Sequence, residues 1–248
     1  MREIAPGVAL VSTLIANAYL VGTAECWVLV DACTPGHDKL IQRAAARRFG
    51  HNRSPHAILL THGHFDHAGC AGPLADRWRV PIYAHSSELP FLTGRSQYPP
   101  FDFSSPGFFT RIARFFPTGT VDLGTRITAL EPHGAIPGLA GWECIETPGH
   151  TPGHVSFFRS ADRVLLAGDA VTTMNLDSLL DTIARRKQVC RPPVPATPDW
   201  VNARKSVERL ARLRPSVIAA GHGLPMGGAA GQLLSLAENF PIPSGGQH

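Results

Sequence analysis

The chain has 248 residues, of which 44% are hydrophobic and 17% charged, so it is long enough to bury a sizeable core and has the composition of a soluble globular protein. The net charge of +4 comes from scattered basic residues apart from Arg185, Arg186 and Lys187, which points to anionic substrates ahead of nucleic acid. We expect a small-molecule substrate and no nucleic-acid partner. No apolar run has the length of a membrane-spanning helix and no signal peptide is evident, so we expect a cytoplasmic protein without a membrane partner.

The cysteines are odd in number, far apart and without a C-x-x-C pair. This pattern predicts free thiols in a reducing compartment rather than a disulfide framework. We expect them to behave as small buried apolar side chains. They are Cys26, Cys33, Cys70, Cys144 and Cys190.

The first part of the chain alternates between strand and helix patterns, which indicates an α/β arrangement. Apolar runs predict strands at residues 8–11, 18–21, 27–30, 57–60 and 80–84. Helical spacing predicts helices at residues 37–49 and 69–78.

Residues 86–121 interrupt this alternation with repeated prolines and phenylalanines, within what we expect to be one domain spanning residues 1–248. A segment this apolar is not a linker, and long aromatic insertions are often lids or binding loops. It could equally pack on the surface or against a second copy of the chain, which leaves a homodimer open. Within it, residues 108–116 could form a short amphipathic helix with Arg111 and Arg114 exposed.

The remaining part resumes the regular patterns. Strands are predicted at residues 126–130, 142–146, 155–158, 164–166 and 217–220, and helices at residues 199–213 and near 228–239.

The most informative stretch, residues 61–69, follows the apolar run at 57–60 and places four metal-ligand side chains within six residues. They are His62, His64, Asp66 and His67. Imidazole and carboxylate suit zinc, iron or manganese, and four such groups exceed what one catalytic centre normally takes, so the spacing indicates two metals. In an extended segment the side chains of His62 and His64 lie on the same face. Asp66 and His67 lie past a bend and could face a second ion. The alternative is a histidine-rich surface loop.

Three later residues repeat one arrangement, a ligand-type side chain beside glycine at or near the end of an apolar run. They are His150, Asp169 and His222. Glycine allows the backbone to turn where a strand ends, which is where pockets form in open α/β architectures. Seven ligands are enough for two ions that share one carboxylate.

This ordered set, H-x-H-x-D-H followed by T-P-G-H, G-D and G-H-G, resembles the metallo-β-lactamase superfamily from Asp31 to His222. The resemblance implies an α+β fold, an αββα sandwich of two mixed β-sheets flanked by helices, with a dinuclear site. By the same resemblance, His62, His64 and His150 would hold one divalent ion, Asp66, His67 and His222 the other, and Asp169 would bridge them. The ions would be zinc, with iron or manganese as alternatives.

Two further residues, His154 and Asp31, are expected to support the ligand residues rather than to bind a metal. His154 shares a doubled P-G-H segment with His150, and in families with this motif the first histidine is the ligand, so His154 is assigned a supporting or core position. Asp31 could accept a hydrogen bond from a ligand imidazole and fix its orientation, although it could also simply cap a strand.

The resemblance implies hydrolysis by a hydroxide held between two cations, with Asp66 orienting the water and accepting a proton. No G-x-S-x-G nucleophile motif is present. Similarity to glyoxalase II-like thioesterases and quorum-quenching lactonases favours a small ester, lactone or thioester. However, the chain lacks the lactonase tyrosine after Asp169 and the glutathione-binding Lys/Tyr pattern near the C-terminus, and true β-lactamases are usually exported.

Two alternatives remain. A persulfide dioxygenase-like protein would use one iron and a subset of the ligands, whereas the complete set of seven argues for two metals. A metal-bound binding module would have no turnover.

Overall fold

The computed structural model describes residues 1–104, 106–116, 121–131 and 134–243. Its contacts divide the chain into two compact units, the first formed by Met1–Gln97 with Gly119–Glu143 and the second by Tyr98–Thr118 with Cys144–His248. The expectation of one domain over residues 1–248 therefore stays a prediction. Residues 105 and 117–120 of the predicted insertion lie outside the described residues.

In the first unit, the described residues form a seven-stranded mixed sheet whose strands lie in chain order. The first four strands pair antiparallel, and the fourth to seventh pair parallel. The strands are β1 (Arg2–Ala5), β2 (Val8–Ser12), β3 (Asn17–Gly22), β4 (Trp27–Val30), β5 (Ala57–Leu59), β6 (Ile82–His85) and β7 (Ile127–Leu130).

Two neighbouring parallel strands must be joined by a crossover connection. Helices provide the connections from β4 to β5 and from β5 to β6. The helices are α1 (Asp38–Phe49), α2 (Phe65–Ala68), α3 (Ala71–Trp78) and α4 (Leu89–Leu92), with short 3-10 turns at Ser86–Glu88 and Gly124–Arg126. Helix α1 buries one apolar face that includes Ile41 and Phe49, and the Phe49 ring stacks on Trp27 with 4.6 Å between centroids. Burial of this face fixes α1 against the sheet.

In the second unit the described residues form a five-stranded mixed sheet. Its strands are β8 (Trp142–Glu146), β9 (Val155–Arg159), β10 (Val164–Gly168), β11 (Val217–Ala220) and β12 (Met226–Gly227). Their order in the sheet is β12-β11-β10-β9-β8. Strands β10 and β11 are parallel, so both end at the same edge of the sheet.

The helices of the second unit are α5 (Phe108–Ala113), α6 (Leu179–Ala184), α7 (Trp200–Arg212) and α8 (Ala230–Glu238), with a 3-10 turn at Val194–Ala196. Asp199 caps α7, since its carboxylate accepts a hydrogen bond from the Asn202 N–H at 2.9 Å. Apolar side chains of α7 and α8, including Val207 and Leu233, form one core with Leu165 and Ile218 of the sheet.

The aromatic part of the insertion is tied to the second unit by backbone hydrogen bonds. The Phe108 N–H donates to the Asp177 carbonyl at 3.0 Å, and the Phe109 N–H to the Leu176 carbonyl at 3.1 Å. The predicted helix is present as α5, although it ends at Ala113, and Arg111 and Arg114 are exposed as expected.

The strands and long helices predicted from the sequence are confirmed, with bounds that differ by two residues at most. The sequence patterns did not reveal β1, β12 or the short helices α2, α4 and α6. Segments of two to six residues contain too few positions for a period of 3.6 or 2 to appear.

The five cysteines are free thiols, as predicted, but they are not all buried. Cys26 is exposed and Cys190 is intermediate, which corrects the expectation for these two. Burial raises the pKa of Cys144 to about 12 and that of Cys190 to about 11, and it also raises the pKa of Cys33. In the part of the chain that the structure describes, no helix has the length and apolar character needed to cross a bilayer.

Candidate metal centre

The four ligand-type residues of the first unit lie where the chain leaves β5 and enters α2. His62 and His67 are fully buried, Asp66 is buried and His64 is half-buried. His64 has extended backbone angles and immediately precedes α2, so the chain turns between His64 and Asp66 as the sequence analysis expected. These residues form a buried cluster rather than the exposed histidine-rich loop considered as the alternative.

Two ring nitrogens of this cluster converge. The His62 Nε2 atom lies 3.1 Å from the His64 Nδ1 atom. Two nitrogens bound to one tetrahedral zinc at 2.0–2.1 Å would be roughly 3.3 Å apart. The observed separation therefore fits two ligands of one cation.

Asp31 orients His67. Its Oδ2 atom accepts a hydrogen bond from His67 Nδ1 at 2.9 Å, and both side chains are buried. Because Nδ1 carries the proton for this bond, Nε2 is the nitrogen with the lone pair that a metal needs. The contact that the sequence analysis expected of Asp31 is present, and its part in metal binding stays a prediction.

The same carboxylate acts on His62 through Thr61. The Thr61 hydroxyl donates to Asp31, with oxygen separations of 2.9 and 3.1 Å, so its oxygen accepts from His62 Nδ1, which lies 3.1 Å away. The proton on Nδ1 leaves Nε2 of His62 as the electron donor. One buried acid thus fixes the tautomers of two predicted ligands.

In the second unit the predicted ligands come from three separate strand ends. His150 follows β8, Asp169 directly follows β10 and His222 follows β11, and all three are buried. The Asp169 Oδ2 atom lies 3.5 Å from His150 Nε2 and 3.0 Å from His222 Nε2. One carboxylate oxygen therefore lies beside two imidazoles, as a carboxylate that bridges two ions would require.

Thr197 sets the tautomer of His150. The Thr197 hydroxyl donates to the Pro193 carbonyl at 2.7 Å and therefore accepts from His150 Nδ1 at 3.1 Å, which leaves Nε2 as the donor atom. Gly149 is required next to this histidine, because its φ is +132° and a Cβ atom there would collide with the backbone of Ala203 in α7. The close approach of α7 thus holds the turn that carries His150.

His154 supports the strand end that carries Asp169. The His154 Nε2 atom accepts a hydrogen bond from the Asp169 backbone N–H at 2.8 Å, and the His154 Nδ1 atom lies 2.8 Å from the Thr147 hydroxyl oxygen. Since a backbone N–H can only donate, the proton of a neutral His154 is on Nδ1. This position behind the predicted ligands agrees with the supporting place expected for His154, and its contribution to the site stays a prediction.

An aromatic side chain of the insertion lies beside one predicted ligand. The Phe109 ring centroid is 6.5 Å from that of His222 and 5.9 Å from that of Phe116. Phe109 is half-buried, so part of its ring is accessible. The phenylalanine-rich composition pointed to this segment, but nothing in the sequence singled out Phe109.

Two supporting threonines, Thr61 and Thr197, were also missed by sequence reasoning. Thr61 adjoins the ligand motif, yet a threonine at a strand end has no distinctive pattern. Thr197 is 47 residues from His150, and only the folded chain brings the two together.

A model of the metallo-β-lactamase superfamily matches residues 11–222. The chain belongs to the metallo-β-lactamase superfamily. It is 40% identical over 230 residues to the probable metallo-hydrolase YflN of Bacillus subtilis (strain 168), covering 91% of this chain and 87% of that protein. It is 31% identical over 116 residues to the hydroxyacylglutathione hydrolase GloC of Haemophilus influenzae, covering 46% of this chain and 49% of GloC.

Solved structures agree with this membership. The structure of TTHA1623 in a di-iron-bound form covers 94% of this chain and 98% of its own length, with 28% identity and a TM-score of 0.61. The predicted α+β fold of the superfamily, with two mixed sheets and flanking helices, is confirmed. Together with the histidine and aspartate clusters of the two units, the fold indicates a divalent-metal-binding protein.

Proposed function

We propose that this chain is a dinuclear metal-dependent hydrolase of small esters, lactones or thioesters. In this proposal His62, His64 and His150 hold one divalent cation, Asp66, His67 and His222 hold a second, and Asp169 bridges the two. Zinc is the proposed metal, with iron or manganese as alternatives that the same ligands would accept. The protein would act on small molecules in the cytoplasm, without nucleic acid or membrane partners.

One observation carries the proposal. In His62, His67 and His150 the Nδ1 atom is committed to a buried oxygen, directly or through a threonine, which leaves Nε2 as the electron-pair donor in each. A metal ligand that binds through Nε2 needs its proton on Nδ1, and three buried histidines that share this tautomer are prepared to bind cations.

Divalent cations held by these residues would lower the pKa of bound water enough to supply hydroxide at neutral pH. The Asp66 carboxylate would orient that water and accept its proton. Its Oδ2 atom lies 3.9 Å from His67 Nε2, and the side chain is buried, so its position is restricted. The imidazoles and Asp169 would keep the ligand geometry fixed while the substrate carbonyl is attacked.

The choice of bond rests on relatives and on Phe109. GloC is named a hydroxyacylglutathione hydrolase, which supports thioester or ester cleavage here, although that match covers less than half of either chain. The accessible ring of Phe109 beside His222 would offer an apolar wall to the acyl part of a substrate.

The test combines metal analysis with a substrate screen on the purified full chain. We expect two equivalents of metal per chain, with hydrolysis of p-nitrophenyl esters, acyl-homoserine lactones or S-lactoylglutathione that a chelator abolishes and added metal restores. His150→Ala should lose both metal and turnover, whereas His51→Ala, at an exposed histidine, should retain both.

Three outcomes would contradict the proposal. A single iron with oxygen uptake on glutathione persulfide would identify a persulfide dioxygenase-like enzyme. Bound metal without turnover on any of the three substrate classes would favour a binding module. Turnover that is unaffected by complete metal removal would exclude metal-dependent hydrolysis.

A further inference from the structure

We propose that Glu88 is a positioning residue for the metal ligands of the first unit, and that its negative charge strengthens cation binding by His62 and His64. The inference rests on the metal-binding part of the proposed function. It does not depend on which substrate is cleaved.

Glu88 is distant from the ligand motif in sequence but joined to it in the fold. It ends the 3-10 turn that follows β6, and its side chain is fully buried. Its Oε2 atom accepts a hydrogen bond from the Gly63 backbone N–H at 2.9 Å. Gly63 lies between His62 and His64, whose ring nitrogens converge to 3.1 Å. The bond therefore holds the backbone at the midpoint of this ligand pair.

A carboxylate is a costly acceptor for this task. Burying an ionised group is unfavourable unless opposite charge or strong hydrogen bonds compensate it, and a glutamine oxygen could accept the same N–H without a buried charge. A cation held by the adjacent histidines would be attracted by a negative charge at this position. The carboxylate would therefore favour cation binding in addition to anchoring the Gly63 N–H.

The expected size of the effect follows from residues that orient metal ligands in other proteins. Loss of such a partner typically weakens metal affinity by about 10–100-fold. Glu88 should fall in this range, because without its bond the backbone between two ligands loses an anchor while the ligands themselves remain.

The test compares Glu88→Gln, Glu88→Ala and Asp76→Asn in the full-length protein. Asp76 is the control because it is a carboxylate of the same unit whose ion pair with Arg126, at 2.7 Å, lies on the surface. Folding is checked by circular dichroism. Zinc affinity is measured by competition with a chromophoric chelator, and ligand geometry by the visible absorption of the cobalt(II) form.

We expect Glu88→Ala to bind zinc about 10–100-fold more weakly and to alter the cobalt spectrum. Glu88→Gln should restore the wild-type spectrum, since it keeps an acceptor for Gly63, but should remain weaker in affinity because the charge is lost. Asp76→Asn should match the wild type in both measurements.

Wild-type affinity and spectrum in both Glu88 variants would overturn the inference and leave the proposed function intact. Wild-type affinity in Glu88→Gln alone would overturn the role of the charge, and this variant decides the matter if Glu88→Ala does not fold. Wild-type protein that binds neither zinc nor cobalt would overturn the proposed function, and the inference with it.

Discussion

The predicted ligands of the two units are positioned in different ways. In the first unit four of them occupy six consecutive residues, and the buried acid Asp31 fixes the tautomers of two. In the second unit three ligands come from three strand ends, and the parallel pairing of β10 with β11 aligns two of these ends. Local chain geometry therefore organises the first set, whereas sheet register organises the second.

This difference predicts how many ligands of each set are disturbed when one supporting residue is lost. Damage to a single supporting residue of the first unit should affect two ligands together. In the second unit two ligands have separate supporting residues, Thr197 for His150 and His154 for the Asp169 backbone, so loss of either support should affect one ligand.

The largest effect is expected for Asp31→Ala. The substitution leaves the buried Thr61 N–H and His67 Nδ1–H without their acceptor, at about 1–3 kcal/mol for each buried donor. We expect the free energy of unfolding of the metal-free protein to fall by about 2 kcal/mol or more, measured by urea denaturation. Metal content should also fall. A loss below about 0.5 kcal/mol would show that Asp31 does not organise this set.

A smaller and more selective effect is expected for Thr197→Val. Removing the hydroxyl frees the Nδ1 atom of His150 without changing side-chain volume greatly, so metal affinity should fall by about 10–100-fold. Thr182→Val is the control, since Thr182 lies in α6 and its hydroxyl donates to the carbonyl of Ser178, the residue before that helix. Chelator competition would measure both, and equal affinities would break the proposed link between Thr197 and His150.

Phe109→Ala tests whether the insertion contributes to substrate choice in the second unit. We expect kcat/KM for long-chain p-nitrophenyl esters to fall about tenfold, with less change for the acetate, because the apolar wall beside His222 is lost. Phe103→Ala is the matched control, an exposed phenylalanine of the same insertion. Equal losses on short and long esters, with normal metal content, would instead assign Phe109 a packing role.

The smallest effect concerns the thiols, which report on local opening in each unit. The thiolate is the reactive form, and burial raises the pKa of Cys144 to about 12, so Cys144 should stay protonated and unreactive near pH 8. Exposed Cys26 should be labelled first by a thiol reagent, as followed by mass spectrometry. Labelling of Cys144 as fast as Cys26 would indicate that the second unit opens readily.

The sequence predicted the fold well where the pattern is clear, as in the apolar runs of β4 and β5 and the helical spacing of apolar residues in α7. It also named the seven ligand candidates, four from their spacing in residues 62–67 and three from the glycine beside His150, Asp169 and His222. It could not indicate Glu88, which contacts the Gly63 backbone 25 residues away, since a bond to a main-chain N–H leaves no pattern of side-chain types. Thr197 escaped for a different reason, because its side-chain partner His150 is 47 residues away and is reached only in the folded chain.

The most direct test of the central claim is a crystal structure of the metal-loaded protein with anomalous diffraction at the zinc, iron and manganese absorption edges. The account predicts two peaks, one bound by His62, His64 and His150, the other by Asp66, His67 and His222, with Asp169 contacting both. Protein that was loaded with metal but showed no peak at these residues, or a single peak elsewhere, would contradict it.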